Sequence, residues 1–248
     1  MEMTGDSPTG DRRPWGLLAS LAWYVVVFEI AGRLYDLALN SSGLQAALDR
    51  HFATRQLGLL AAWAVTLLVT MLAARLTRVP LRDYLGWTRP RLRDVMLGLA
   101  IIAALYAAFG ALVFFSGNAA GAVGEYRAAI AAGTSSWWFV LKWWPTLILS
   151  PFVEETFFRG FLWRGVEFYH GKWMAFVVST VLFAAMHYSY WMPDGAVEWG
   201  SVVQYLASSA IFGALRWRSG SAVVPMLAHS LDNAGLKIAQ IVLSALVP

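Results

Sequence analysis

The chain has 248 residues, of which 58% are hydrophobic and 14% charged, with a formal net charge of +4. A soluble domain carries about 25% charged residues, so this composition argues for one integral membrane domain over 1–248 and against an ordinary soluble fold. The absence of cysteine excludes disulfides, thiolate metal sites and a cysteine nucleophile.

The first fourteen residues are polar and include Arg12-Arg13. The apolar stretch 15–39 is longer than the core of a signal peptide, about 7–15 residues, and reads as a retained first helix; the alternative is a cleavage site near Ala38–Ser42. A membrane span needs about 20 mainly apolar residues. That rule predicts further helices over 57–77, 94–115, 137–164, 172–191, 199–216 and 222–246, an all-α polytopic bundle. Pro145 and Pro151 should kink or split the 137–164 helix. The Gly- and Ala-rich segment 116–136 could add an eighth, short or re-entrant element.

Basic residues cluster in short connectors: Arg12 and Arg13; Arg75, Arg78, Arg82, Arg89, Arg91 and Arg93; Arg164 and Lys172; Arg216 and Arg218. Arg50, Arg55 and Arg127 are the exceptions on the other connectors. The clusters share one side if the N-terminus is cytoplasmic. This pattern sets topology, and nucleic acid is not an expected partner. Tryptophans near predicted helix ends, such as Trp15, Trp87, Trp137, Trp138, Trp173, Trp191, Trp199 and Trp217, are explained as interfacial anchors.

Three groups of polar residues interrupt the apolar segments. The first is Glu154-Glu155-Thr156-Phe157-Phe158-Arg159. Charge at the bilayer centre costs roughly 2.5–3.5 kcal/mol per residue on insertion scales and is normally kept for function. Glu155 and Arg159 are four apart and can pair. Glu154 lies about 140° around the helix from Arg159, which leaves its carboxylate free for general-base work on water. A structural ion pair beside a snorkelling glutamate is the plainer alternative.

The second group is Phe183 and His187, in an otherwise apolar run; a core histidine bonded to a neighbouring helix would look the same. The third is His229-Ser230-Leu231-Asp232-Asn233. His229 and Asn233 share a face with Asp232 nearby, and a polar clasp between helices is its plain reading. Together the groups supply a base, two imidazoles, an amide and a cation, a set suited to water activation and oxyanion stabilisation. Serine catalysis fits poorly, since Ser230 faces away from His229 and no Gly-x-Ser-x-Gly elbow occurs.

The motifs Glu154-Glu155-x-x-x-Arg159, Phe183-x-x-x-His187 and His229-x-x-x-Asn233 resemble the three signatures of the CPBP family, the CAAX proteases and bacteriocin-processing enzymes also called Abi. Phe212, Gly213, Arg216, Gly220-Ser221 and Pro225 are similar to the usual approach to the third motif. The resemblance spans about 145–235, within a catalytic core placed at 137–246. It implies an intramembrane glutamic endopeptidase in which Glu154 activates water that His187 helps hold. His229 and Asn233 would stabilise the oxyanion, with Glu155, Arg159 and Phe183 in support. It implies no cofactor and no metal, and the chain has no His-Glu-x-x-His. The expected partners are a membrane-associated peptide or protein and the lipid bilayer, in a bacterial plasma membrane. A non-catalytic scaffold, for immunity or partner stabilisation, is the alternative. A transporter is a weaker one, as no inverted repeat is evident.

Overall fold

The computed structural model of the protein describes residues 13–30 and 52–247, with side chains from 58 in the second stretch. Among these residues the chain is all-helical, without strands. Helix α1 spans Leu17–Tyr24 and widens into a π-helical turn at Val25–Ile30. Then follow α2 (Phe52–Leu76), the short α3 (Leu81–Tyr84) and α4 (Leu92–Phe115). The expected first helix can be followed only to Ile30. Its remainder, the Ala38–Ser42 region, Arg12 and Arg50 lie outside the described residues, as does the side chain of Arg55.

The segment 116–136 folds as two short helices, α5 (Ala119–Ala122) and α6 (Gly124–Ala131). The helix expected over 137–164 is broken. Helix α7 covers only Ser136–Leu141, and a π turn, Pro145–Leu149, leads into α8 (Ser150–Glu155). Pro151 has no N–H to offer the carbonyl one turn back, and the wide turn lies where that bond is lost. A second π turn, Thr156–Leu162, carries the chain into α9 (Trp163–Met186), which Gly171 interrupts with φ 79°. Such turns recur at functional sites. The acidic motif lies across this one.

The short α10 (Tyr188–Trp191) follows; α11 (Trp199–Ser219) ends on left-handed Gly220, and α12 (Val223–Leu246) completes the described fold. Helix α12 is the central strut: it packs along α4 and also meets α5, α6, α7, α8 and α11. Helices α9 and α11 pack together on one flank, and α2 touches α8 and both π turns beside it. The core is aromatic. Phe157, Phe158, Phe161, Trp163, Phe183 and Phe212 are fully buried around the acidic motif, and Phe28 stacks on Phe158 at 5.3 Å.

Outside, the molecule is apolar: Leu68, Leu72, Leu92, Leu112 and Phe115 are exposed. The stretches Gly58–Leu76 and Leu92–Phe115 are long and apolar enough to cross a membrane. Several tryptophans do more than sit at helix ends. Trp15 Nε1 donates to the Ala73 carbonyl at 2.8 Å, Trp191 Nε1 to the Ala184 carbonyl at 3.0 Å, and Trp87 Nε1 to Thr156 Oγ1 at 3.1 Å. Trp137, Trp138, Trp173 and Trp199 remain exposed.

Gly160 lets the second π turn lie directly on the backbone at Leu85, where an added Cβ would overlap the carbonyl group. Backbone cannot yield as a flexible side chain can. Gly160→Ala should therefore destabilise the protein by about 1–3 kcal/mol, read as a lowered unfolding midpoint in detergent; an unchanged midpoint would contradict this packing.

Candidate active site

Glu154, Glu155 and Arg159 are 3%, 0% and 0% exposed. The two carboxylates occupy different surroundings. Glu154 lines a cavity of about 540 Å³, together with Ser150, Phe183, His187, His229 and Asn233. Glu155 and Arg159 are not part of that lining and sit behind its wall.

Behind the wall, Arg159 Nη1 donates to Glu155 Oε1 at 3.1 Å. Its Nη2 donates to the carbonyl and hydroxyl of Ser209 at 2.7 and 2.6 Å, and its Cζ lies 4.6 Å from the centre of the Phe183 ring. Ser209 Oγ donates onward to the Thr180 carbonyl. One guanidinium thus ties the π turn to both α11 and α9, with planar donors and an aromatic face matched to its shape. Arg216, placed from sequence in a basic connector and in the approach to the third motif, is 6% exposed and donates through Nε to the Arg159 carbonyl at 2.7 Å. Burial is satisfied by that carbonyl and by the Trp163 ring, 5.6 Å away.

On the cavity side, Ser150 Oγ donates to Glu154 Oε1 at 2.5 Å. Glu154 Oε2 has no hydrogen-bond partner within the protein and lies 3.9 Å from His187 Nε2. His187 Nδ1 donates to the Phe183 carbonyl at 2.8 Å. With that proton on Nδ1, neutral His187 presents the lone pair of Nε2 toward Glu154. Two acceptors therefore face one another across a short gap.

His229 Nδ1 donates to Glu155 Oε1 at 3.1 Å, and its ring stacks on Phe212 at 4.7 Å. Its orienting partner is Glu155, 74 positions away, while Tyr106 donates through its hydroxyl to the Asp232 main-chain carbonyl at 2.9 Å and Ser208 lies within hydrogen-bonding reach of the Asp232 carboxyl. Asn233 Nδ2 donates to the Thr146 carbonyl at 2.8 Å, which fastens α12 to the first π turn and leaves one amide N–H unassigned. All seven residues singled out from the sequence thus lie in or immediately behind one cavity wall.

Sequence reasoning missed Ser150, Tyr205 and Ser209. Ser150 is four residues before Glu154, a spacing that could have exposed it. Tyr205, Ser209, Phe212 and Arg216 form one stripe on α11 at helical spacing, and that stripe faces the site. The Tyr205 ring stacks on His187 at 4.5 Å with planes 21° apart. Stacking of this kind contributes about 0.5–1.5 kcal/mol, equivalent to at most about tenfold in a rate. If His187 acts in catalysis, Tyr205→Leu should lower kcat by up to about tenfold, while Tyr205→Phe should stay near wild type. Equal losses in both variants would assign the role to the hydroxyl instead.

Among the described residues no group of three or more His, Asp or Glu side chains is placed to hold a metal ion. The described residues thus bring an acid pair, a guanidinium and a buried imidazole together in one place, with the half-buried His187 beside them. Residues 136–235, which contain every one of those groups, match the family model described as Type II CAAX prenyl endopeptidase Rce1-like. Over this segment the chain is similar to that family, whose description is of an endopeptidase. No curated protein and no solved structure matches it.

Proposed function

We propose that the protein is an intramembrane endopeptidase that hydrolyses a membrane-associated peptide or protein, with Glu154 as the base. The observation that carries this reading is the unpartnered Glu154 Oε2 facing His187 Nε2 across 3.9 Å. A water lying off the line between them can donate one O–H to each. Glu154 takes the proton as the water oxygen attacks the peptide carbonyl carbon. The same proton then passes to the leaving nitrogen, giving a carboxylic acid and an amine.

The oxyanion needs donors in the cavity wall. His229 can supply Nε2–H in the form with both ring nitrogens protonated, with Glu155 opposite the charge, and Asn233 can turn its second amide N–H inward. Glu155 and Arg159 act through His229 and the helix wall, as positioning residues. No cofactor is required by this scheme.

The proposed setting is a polytopic bundle in a bacterial plasma membrane, with the N-terminus cytoplasmic and 137–246 as the catalytic core of a single domain. The exposed Leu and Phe side chains and the two apolar helices support it. The scaffold reading accounts for the Asn233 clasp but offers no use for a buried, unpartnered carboxylate oxygen, which is costly to keep.

Terminal-peptide profiles of membranes holding wild type or Glu154→Gln at matched levels test the reading. Termini produced only by wild type support it and identify the substrate. Coincident profiles, with a null phenotype rescued by Glu154→Gln, would establish the scaffold instead.

A further inference from the structure

The cavity at Glu154 adjoins a second one of about 510 Å³ between α4 and α11. Tyr106, Gln204, Ser208, Asp232 and Leu236 line both. Beyond this junction the walls are apolar, and Leu105 and Phe109 are 49% and 47% exposed on the outer surface. The two cavities therefore adjoin at a shared wall that carries Asp232, with Glu154 on the inner side and the apolar exterior on the outer.

Asp232 takes no part in the chemistry above, yet it is the one carboxylate among the described residues that lines both spaces. Among the described residues the linings of the two cavities include two carboxylates, Glu154 and Asp232, and no lysine or arginine. The Glu154 side chain points its unpartnered Oε2 into the same space. In surroundings this poor in water such charges act strongly on what enters. A peptide carboxylate at the junction would meet like charge, which disfavours it. A lysine ammonium would find three acceptors for its three protons: the Asp232 carboxylate, Ser208 Oγ and the Gln204 amide oxygen.

We propose that Asp232 is a substrate-selecting residue: it holds a lysine or arginine side chain of a peptide segment that enters between α4 and α11 and lies beside the bond presented to Glu154. The inference rests on the peptidase reading for the fate of that segment, but its selectivity is measurable without hydrolysis.

The test uses the full chain in liposomes of phosphatidylcholine, which carry no net charge. The probes are leucine-rich transmembrane peptides bearing a photo-crosslinker and one Lys, Gln or Glu at successive positions near the end of the span. Capture is measured on the Glu154→Gln protein, so that cutting does not remove the bound peptide. At one position or a few adjacent ones, Lys peptides should be captured at least roughly tenfold better than Glu peptides. Adding Asp232→Asn, which keeps a hydrogen-bonding group for Ser208, should bring that ratio near one. Asp232→Glu should restore it. Equal capture of the three peptides, or a preference that survives Asp232→Asn, overturns the inference. Wild type is then offered the captured peptide: capture without hydrolysis removes the peptidase reading and leaves the selectivity standing.

Discussion

Glu154→Gln should lower the rate of peptide cleavage by about 10²–10⁴, the range supplied by a positioned general base, while the protein still folds. The fold is spared because Ser150 Oγ donates to Oε1, and a glutamine side-chain oxygen can accept that bond equally well. What disappears is the acceptor at Oε2, replaced by an amide that donates toward His187 Nε2 and cannot take a proton from water. Cleavage of a reporter by purified protein, alongside the thermal midpoint in detergent, separates the outcomes. A variant that cuts as fast as wild type removes Glu154 from the chemistry. A variant that is inactive because it no longer folds makes the residue structural.

Arg159→Met should cost about 3–5 kcal/mol, the usual penalty for removing one partner of a buried ion pair. The guanidinium is fully buried, and its loss leaves the Glu155 carboxylate without its cation, with His229 as its remaining donor, and removes the bond to the Ser209 carbonyl. Set against a total stability of about 5–15 kcal/mol, that is a large share. The unfolding midpoint should fall by roughly 10 °C. Arg159→Lys should recover only part of it, since an ammonium cannot reach Glu155 and Ser209 together through a planar fork. A midpoint within about 2 °C of wild type for Arg159→Met would show that the pair contributes little.

Much of this arrangement is written in short-range spacing. The apolar lengths gave helices over 94–115, 199–216 and 222–246 whose ends the structure matches to within three residues. The Glu155–Arg159 contact follows from residues four apart, as does the separation of Glu154 from it, and the adjacent acids do reach opposite sides of the cavity wall. Ideal periodicity failed where the backbone departs from it. The wide turns at Pro145–Leu149 and Thr156–Leu162 and the break at Gly171 shift the phase around the acidic motif; the split that Pro145 and Pro151 foretold over 137–164 is there, but its π geometry was not foreseen.

The long-range partners were not legible either. Asp232 is three residues from His229 and looked like its natural neighbour, but helix packing brings Glu155 to the imidazole instead. Arg216 read as part of a basic connector because nothing local could show that the Arg159 carbonyl and the Trp163 ring would receive it.

Many of the polar side chains in and around the site are anchored by main-chain oxygen atoms. His187 is held by the carbonyl of Phe183, Arg159 by that of Ser209, Asn233 by that of Thr146, and Arg216 by that of Arg159. Every residue type owns a carbonyl. The donors must therefore be spelled out in the sequence, whereas their acceptors are anonymous. A position such as 146 is free to drift in identity without surrendering its bond. The motif visible as a few scattered letters is half of a larger device whose other half is inscribed in the path of the chain.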